Sequence, residues 1–333
     1  MNKLRWWGLA FSFVWLAACS DQTPKLIPDD KKKETVDEKI ETPVVETFNP
    51  AVDILFVIDN SGSMGDHQAN LSKNIDSFIQ VIAQNKVLDY HIGVVTSDMD
   101  DPRQSGRLWG RSVRFVTPTT PNMIGVLRSN LQPGTSGSGV EALFDPIQAA
   151  LTKPLVDTVN DGFYRENAHL ALVFITDAED QGALLPGDLW TFLLGLKKGD
   201  RDKLLSYAAL VPVGDMKCPL DEGGNYSYKV FDFILNFASG KWFDLCSADY
   251  GKKLADIALD LKTKVESTIY LKRRPIINTI EVRYGTLLVP NDPRVGWTYE
   301  IGRNALLLGP EIDYASQQPG TQLEINFKSY PNQ

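Results

Sequence analysis

Histidine and cysteine are scarce in this chain of 333 residues, with three of each. So few zinc-type ligands exclude an array of zinc fingers, and so few thiols exclude a small domain held by several disulfides. The sequence also lacks a G-x-x-x-x-G-K-[ST] phosphate loop and a G-x-S-x-G hydrolase elbow. His67, which follows Ser63 closely, is expected on the solvent-facing first turn of a helix rather than as a base. We therefore predict that the protein is not an enzyme.

Basic residues are outnumbered: 34 Lys and Arg stand against 42 Asp and Glu, for a formal net charge of −8. Such a surface repels phosphate backbones, so we expect no nucleic-acid partner. The composition is otherwise that of a globular protein, with 43% hydrophobic and 23% charged residues. The length suits one large domain, alone or with a smaller attachment.

The amino-terminal segment has the pattern of a secretory signal. Lys3 and Arg5 precede an apolar run, residues 6–18, that is too short to span a bilayer comfortably. The run ends in Leu16-Ala17-Ala18-Cys19, which resembles a bacterial lipobox. The resemblance implies a signal peptide over residues 1–18, lipidation of Cys19, and anchoring in the outer membrane on its periplasmic or outer face. A plain signal peptide followed by an incidental cysteine is the alternative.

Residues 19–50 are rich in Lys, Glu, Asp, Thr and Pro, and poor in apolar side chains. Such a segment cannot bury enough apolar surface to offset its loss of conformational entropy. We predict a flexible, lipidated tether over this range.

Apolar runs alternate with helical patterns between residues 51 and 270. Near-continuous apolar runs predict buried strands; they cover residues 52–58, 91–95, 169–175 and 204–213, with a short edge strand at 111–116. Apolar residues spaced three and four apart predict helices; they cover residues 71–82, 140–151, 189–196 and 250–267. The alternation predicts an α/β fold with a doubly wound, mostly parallel sheet. Residues 271–333 predict a small antiparallel β appendage of about four strands.

Three hydroxyl- or carboxylate-bearing residues follow the first predicted strand as D-x-S-x-S: Asp59, Ser61 and Ser63. Open parallel sheets bind ligands at the carboxyl ends of their strands. Hard oxygen ligands with few carboxylates suit Mg²⁺, or Mn²⁺ and Ca²⁺. The loop therefore predicts a divalent-cation site with an open coordination position.

This loop resembles the metal-ion-dependent adhesion site of von Willebrand factor A domains. The resemblance covers residues 51–267 and implies two further ligands, a Thr from a second loop and an Asp from a third. Asp177, at the end of a buried strand, matches the third-loop Asp, and Thr135 matches the second-loop Thr. An extra Gly-Ser pair lengthens the second loop, so Ser138 or Ser136 is the alternative ligand there. With the lipobox, tether and β tail, the chain resembles the A-domain lipoproteins of Gram-negative bacteria.

Several other side chains stay open to two interpretations. The acidic run 98–101 either holds a second cation or is a solvated loop with Asp98 capping a turn. Glu179 and Asp180 either support the metal site or form a charged rim. Cys218 and Cys246 are the only thiols left after lipidation, so an oxidising compartment predicts a disulfide between them, with a free thiol as the alternative.

Two functions follow from these features. In the first, the bound cation is completed by an Asp or Glu carboxylate of a protein partner, as in adhesion or envelope protein interactions. In the second, the protein is a structural or assembly factor of the cell envelope, and the metal only stabilises the fold.

Overall fold

The computed structural model describes residues 42–48, 50–84, 88–211, 226–318 and 321–330. The predicted signal peptide, Cys19, residues 19–41 of the predicted tether and Cys218 lie outside these ranges. All of these described residues belong to one compact unit. Within the described residues, no helix combines the length and the apolar character that a membrane crossing requires.

The described residues contain thirteen strands and six α-helices. The strands are β1 Thr42–Phe48, β2 Ala51–Ile58, β3 Asp89–Thr96, β4 Phe115–Val116, β5 His169–Thr176, β6 Leu204–Leu210, β7 Lys241–Asp244, β8 Thr268–Tyr270, β9 Glu281–Tyr284, β10 Leu287–Val289, β11 Trp297–Glu300, β12 Ala305–Leu308 and β13 Leu323–Ser329. The helices are α1 Gly65–Gln84, α2 Met123–Asn130, α3 Asp145–Ala150, α4 Pro186–Leu196, α5 Tyr228–Asp232 and α6 Tyr250–Glu266.

A six-stranded sheet in the order β4-β3-β2-β5-β6-β7 forms the centre of the fold. All its neighbouring pairs are parallel except β3 with β4. The predicted α/β fold with a mostly parallel sheet is confirmed. Strand β2 has β3 on one side and β5 on the other. The chain therefore continues from β2 towards one edge of the sheet through β3 and β4, and from β5 towards the other edge through β6 and β7. A crevice opens at such a switch point, above the carboxyl end of β2.

Both faces of the sheet are covered, as the uninterrupted apolar runs predicted. Successive side chains of a strand point to opposite faces. Ile54, Phe56 and Ile58 accordingly pack with helices α1, α2 and α6, whereas Leu55 and Val57 pack with α3, α4 and α5. These side chains are all fully buried. Burial of one such side chain contributes roughly 1.5–3 kcal/mol, so the two cores hold β2 and its following loop rigidly.

The predicted β appendage exists, but it contains two antiparallel sheets, ordered β1-β13-β9-β10 and β11-β12-β8. Its outermost strand corrects the tether prediction. Residues 42–48 form β1, which pairs antiparallel with β13 from Thr42↔Ser329 to Phe48↔Leu323. Val44 packs against the appendage core, whereas Val45 is exposed. A partner strand at the other end of the chain supplies the backbone hydrogen bonds that this polar segment could not provide for itself.

The predicted helix over residues 140–151 and the edge strand over 111–116 are both shorter than expected. Helix α3 begins only at Asp145, because Glu141 forms a β-bridge with Asp98 and the Ala142 N–H donates to the Ser97 carbonyl at 3.0 Å. These contacts hold residues 141 and 142 extended beside the end of β3. The edge strand is limited to Phe115–Val116.

At the opposite, amino-terminal edge of the sheet, a buried carboxylate is held by one arginine. Asp53 is fully buried in β2, and Arg165 donates to both of its oxygens, through N–H at 2.6 Å and Nε at 2.8 Å. Arg165 also contacts the Asp89 carboxylate and the Val52 carbonyl. Burial raises the pKa of Asp53 even though the Arg165 charge opposes that change. The cost of desolvating the Asp53 carboxylate thus outweighs its attraction to Arg165. Loss of either partner is therefore expected to destabilise the fold.

His169, at the start of β5, makes folding stability depend on pH. Burial lowers the pKa of His169 to about 4 from its ordinary 6.5. Between these values the unfolded chain binds the proton and the folded chain does not, so stability falls as the pH falls from 6.5 towards 4. The slope from this group is at most about 1.4 kcal/mol per pH unit. We expect His169→Asn to flatten the curve of unfolding free energy against pH in that window, measured by urea denaturation. Identical slopes in both proteins would contradict this assignment.

Candidate functional site

The first loop of the predicted metal site lies at the carboxyl end of β2. The Asp59 side chain is fully buried. Its Oδ1 accepts the Ser61 N–H at 2.9 Å, and its Oδ2 accepts the Thr176 hydroxyl at 2.8 Å. The hydroxyls of Ser61 and Ser63 lie 3.2 Å apart. The D-x-S-x-S pattern therefore folds into one turn with its two hydroxyls side by side, next to an oriented carboxylate.

Gln68 joins the second loop to the first. From α1, its amide donates to the carbonyls of Asp59, at 3.0 Å, and Gly134, at 2.8 Å, while its Oε1 accepts the Gly134 N–H. The Gly137 N–H donates to the Asn60 carbonyl at 3.0 Å. Thr135 lies near the first loop: its Cγ2 is 3.7 Å from the position that a Cβ on Gly65 would occupy. The two loops are thus tied by backbone contacts on both sides of Thr135.

Ser138, the other predicted second-loop ligand, faces a different group. Its hydroxyl donates to Asp100 Oδ2 at 2.7 Å, and its N–H donates to Asp98 Oδ2 at 3.2 Å. Asp98 is buried, and its Oδ1 accepts the N–H groups of Asp100 and Asp101. Asp98 therefore caps a turn and fixes the second loop, which favours the turn-capping interpretation of the acidic run over a second cation site.

The third loop follows β5, directly beside the first. The Asp177 side chain is buried, with 1% of its surface exposed, and the Asp59 N–H donates to the Ile175 carbonyl at 3.0 Å. Glu179 accepts the N–H groups of Tyr228 and Lys229 at the start of α5. Asp180 accepts the Leu143 N–H at 2.7 Å. The latter two carboxylates thus anchor neighbouring segments of backbone, which agrees with a supporting role.

Glu141 is a member of the site that sequence reasoning missed. It is buried, and its carboxylate accepts the Gln181 amide at 2.6 Å. The Asp98 bridge and the Gln181 N–H, which donates to the Glu141 carbonyl at 2.7 Å, place it between the ends of β3 and β5. Burial and, secondarily, the Asp59 charge raise the pKa of Glu141. Its position depends on contacts with loops about forty residues away on either side, so no local sequence signal marks it.

The oxygen-rich arrangement fits a divalent cation. Asp59 and Glu141 are both buried and repel each other, and among the described residues no Lys or Arg lies within ion-pairing distance of either. Buried charges of one sign require compensation. Neighbouring ligands of an octahedral ion with 2.0–2.1 Å bonds lie about 3 Å apart, close to the separation of the two serine hydroxyls. Among the described residues, no three His, Cys, Asp or Glu side chains lie in a metal-binding arrangement, so the hydroxyls would have to contribute.

Gly137 offers a test of how tightly the two loops fit. A Cβ at this position would meet the Asn60 side chain at 2.5 Å, and Asn60 is itself held by Gln104 and Ser97. We expect Gly137→Ala to lower the unfolding free energy by about 1–3 kcal/mol, the usual cost of overpacking. Gly139→Ala is the matched control, because nothing lies within 4 Å of its Cβ position. Equal effects of the two substitutions in urea denaturation would contradict the close contact between the loops.

Two other predictions have definite outcomes. His67 is fully buried, so its expected solvent-facing position is wrong; α1 packs this side against the protein. Cys246 is disulfide-bonded, which excludes the free-thiol alternative for this residue. Its predicted partner, Cys218, lies outside the described residues.

No protein-family model and no curated protein matches the chain. Solved structures do. The pilus adhesin SpaC of Lactobacillus rhamnosus GG, in an open conformation, is 13% identical at a TM-score of 0.42, over 86% of this chain and 40% of its own. A von Willebrand factor type A protein from Catenulispora acidiphila is 12% identical at a TM-score of 0.38, over 88% and 62%.

Proximal thread matrix protein 1 from the mussel byssus, described with a zinc-occupied MIDAS motif, is 14% identical at a TM-score of 0.38. This match covers 66% of this chain and 48% of that one. The chain therefore spans between 40% and 62% of the length of these three structures. Proteins described as von Willebrand factor type A are thus among the solved structures to which this chain is similar.

Proposed function

We propose that the loops at the carboxyl end of β2 hold a divalent cation and, through it, an acidic residue of a protein partner. The observation that carries the proposal is the turn that sets the Ser61 and Ser63 hydroxyls 3.2 Å apart beside the buried Asp59 carboxylate, with the Asp59 backbone bonded to the strand that leads into the Asp177 loop. Mg²⁺ fits this donor set, with Mn²⁺ and Ca²⁺ as related candidates. The bound ion would supply a positive charge for an incoming carboxylate.

The protein's own residues would fix the ligands and limit the entry of water. Thr176 and the Ser61 N–H orient the Asp59 carboxylate, and Gln68 keeps the second loop against the first. Thr135 is exposed on that second loop, on the solvent side of the site. A carboxylate–metal contact is strong only where water is excluded, so the loops around the crevice would decide which partner binds.

We further propose that Cys19 is lipidated and that residues 19–41 connect the lipid to β1, in an outer-membrane lipoprotein. The support is the lipobox-like Leu16-Ala17-Ala18-Cys19 run and the polar composition that follows it. Metabolic labelling with a palmitate analogue tests this proposal. Label is expected in the wild-type protein and absent from Cys19→Ser, and label in both would contradict lipidation at this residue.

A pull-down from membrane extract tests the ion-dependent partner. The full chain is used as bait in Mg²⁺, in EDTA, and in EDTA followed by excess Mg²⁺. We expect capture in the first and third conditions and at least a tenfold loss in the second. Glu311→Gln, at an exposed pair with Arg294 in the appendage, is the control variant and should behave as wild type. Capture that survives EDTA would contradict this function.

That contrary outcome would support the alternative, a structural or assembly factor in which the ion only stabilises the fold. Thermal melts do not distinguish the two functions, because a stabilising ion raises the melting temperature in either case. Only the proposed function makes partner capture depend on the open coordination position.

A further inference from the structure

A second cavity lies at the amino-terminal edge of the central sheet, on the opposite side of the molecule from the metal site. It encloses about 350 Å³ between β5, β6 and the appendage strand β8. This volume lies at the lower end of the range for small-ligand sites. Three cationic side chains line it, Arg201, Lys264 and Arg303, against the single carboxylate of Asp202. The cavity lining thus has more positive than negative side chains, whereas the chain as a whole has a net charge of −8.

Two of the three cations already have acidic partners. Arg303 pairs with Asp202, and the Tyr270 hydroxyl also donates to Asp202 at 2.8 Å. Lys264 pairs with Asp260 at 2.9 Å. These pairs hold both side chains in fixed positions, so the cavity wall is organised without a ligand.

Arg201 is different. Within the described ranges no acidic group pairs with it; one Nη donates to the Phe237 carbonyl at 3.3 Å, and the guanidinium lies 5.0 Å from the Trp190 ring centre. A guanidinium has five N–H donors in a planar fork that matches oxyanions. The contact with the Trp190 ring restrains the guanidinium and leaves donors for a ligand.

The backbone beside Arg201 is also irregular. The segment Phe233–Phe237 is a turn of π-helix, and Ser239, on the cavity wall, has a φ of +49°. Such features cost free energy and are concentrated at binding sites. Here they bring the Phe237 carbonyl to Arg201 and Ser239 to the wall.

We infer that this cavity binds a phosphate group, carried by a small molecule or by a lipid headgroup, with Arg201 as its principal ligand and Lys264 and Arg303 at its margin. Trp190 and Leu205 supply an apolar wall for whatever the phosphate is attached to. This site is independent of the metal site, since none of its residues touches the three loops described above.

Isothermal titration calorimetry of the full chain tests this inference, with inorganic phosphate and glycerol 1-phosphate as probes. We expect saturable binding that weakens about tenfold or more in Arg201→Gln, as the loss of a charge-assisted contact predicts. Arg294→Gln is the matched control, because it removes the same charge from an exposed pair with Glu311. Circular dichroism of each variant shows whether the fold is kept, and Lys264→Gln provides a second variant.

Flotation of the Cys19→Ser chain with vesicles distinguishes the two sources of the phosphate, because this chain lacks the proposed lipid anchor. Binding to phosphatidylglycerol-containing vesicles but not to phosphatidylcholine alone, lost in Arg201→Gln and kept in Arg294→Gln, supports a lipid headgroup. Saturable binding of the soluble probes without flotation supports a small molecule. Absence of binding in both assays, or equal losses in the two arginine variants, would overturn the inference.

Discussion

Arg165→Ala is expected to lower the free energy of unfolding by about 3–5 kcal/mol, because it removes the guanidinium that pairs with a buried carboxylate. Asp53 is fully buried; the Arg165 Nε donates to its Oδ1, and the Arg165 backbone N–H, which the variant keeps, donates to its Oδ2. Burial already raises the pKa of Asp53 in the presence of Arg165. Without the arginine side chain, folding would require either an unpaired buried carboxylate or uptake of a proton. Urea denaturation at pH 7 measures the loss.

The matched control for this change is Arg103→Ala. Arg103 forms an ion pair with Asp101, but 89% of its side chain is exposed. Exposed pairs contribute about 0–1 kcal/mol, so this variant should remain close to wild type. Adding Asp53→Asn to Arg165→Ala should restore part of the lost stability, because an amide costs less to bury than a carboxylate. A double variant no more stable than Arg165→Ala would show that lost packing, rather than the charge, is responsible.

Asp59→Asn is expected to abolish stabilisation by divalent cations. A ligand at a hundred times its dissociation constant stabilises the folded state by about 2.7 kcal/mol. In wild type we expect an increase of this kind when Mn²⁺ or Mg²⁺ is added after EDTA treatment. The amide keeps an oxygen for the Ser61 N–H but removes the negative charge that would bind the ion. Thermal melts with and without the ion measure the difference.

Ser138→Ala tests, in the same thermal melts, whether the Ser138 hydroxyl is a ligand of the ion. The Ser138 hydroxyl donates to Asp100 rather than to Asp59, so its loss should leave most of the response to the ion in place. A full response in Asp59→Asn, or a response equally lost in Ser138→Ala, would contradict the arrangement of ligands. Removing the Asp59 charge also removes its repulsion of Glu141. The Asp59→Asn variant should therefore remain folded in EDTA.

The sequence by itself predicted the central sheet, its two layers of helices and the position of the D-x-S-x-S loop at the end of β2. Strands buried on both faces are continuous apolar runs, and this signal is contained within each segment. Residues 52–58 and 169–175 therefore identified β2 and β5 within two residues of their ends. The D-x-S-x-S turn is equally local, since three residues on one loop supply it.

Tertiary structure alone decided the features that depend on distant partners. Residues 42–48 have the composition of a tether, yet β13, at the far end of the chain, makes them a strand. Ser138 faces Asp100, and Glu141 is buried where the Asp59 charge acts on it, because β3 and the third loop hold residues 141 and 142 extended. Hydrophobic periodicity depends only on residues close together in the sequence. Burial of a charged side chain and pairing of an edge strand depend instead on which remote segments the folded chain brings together.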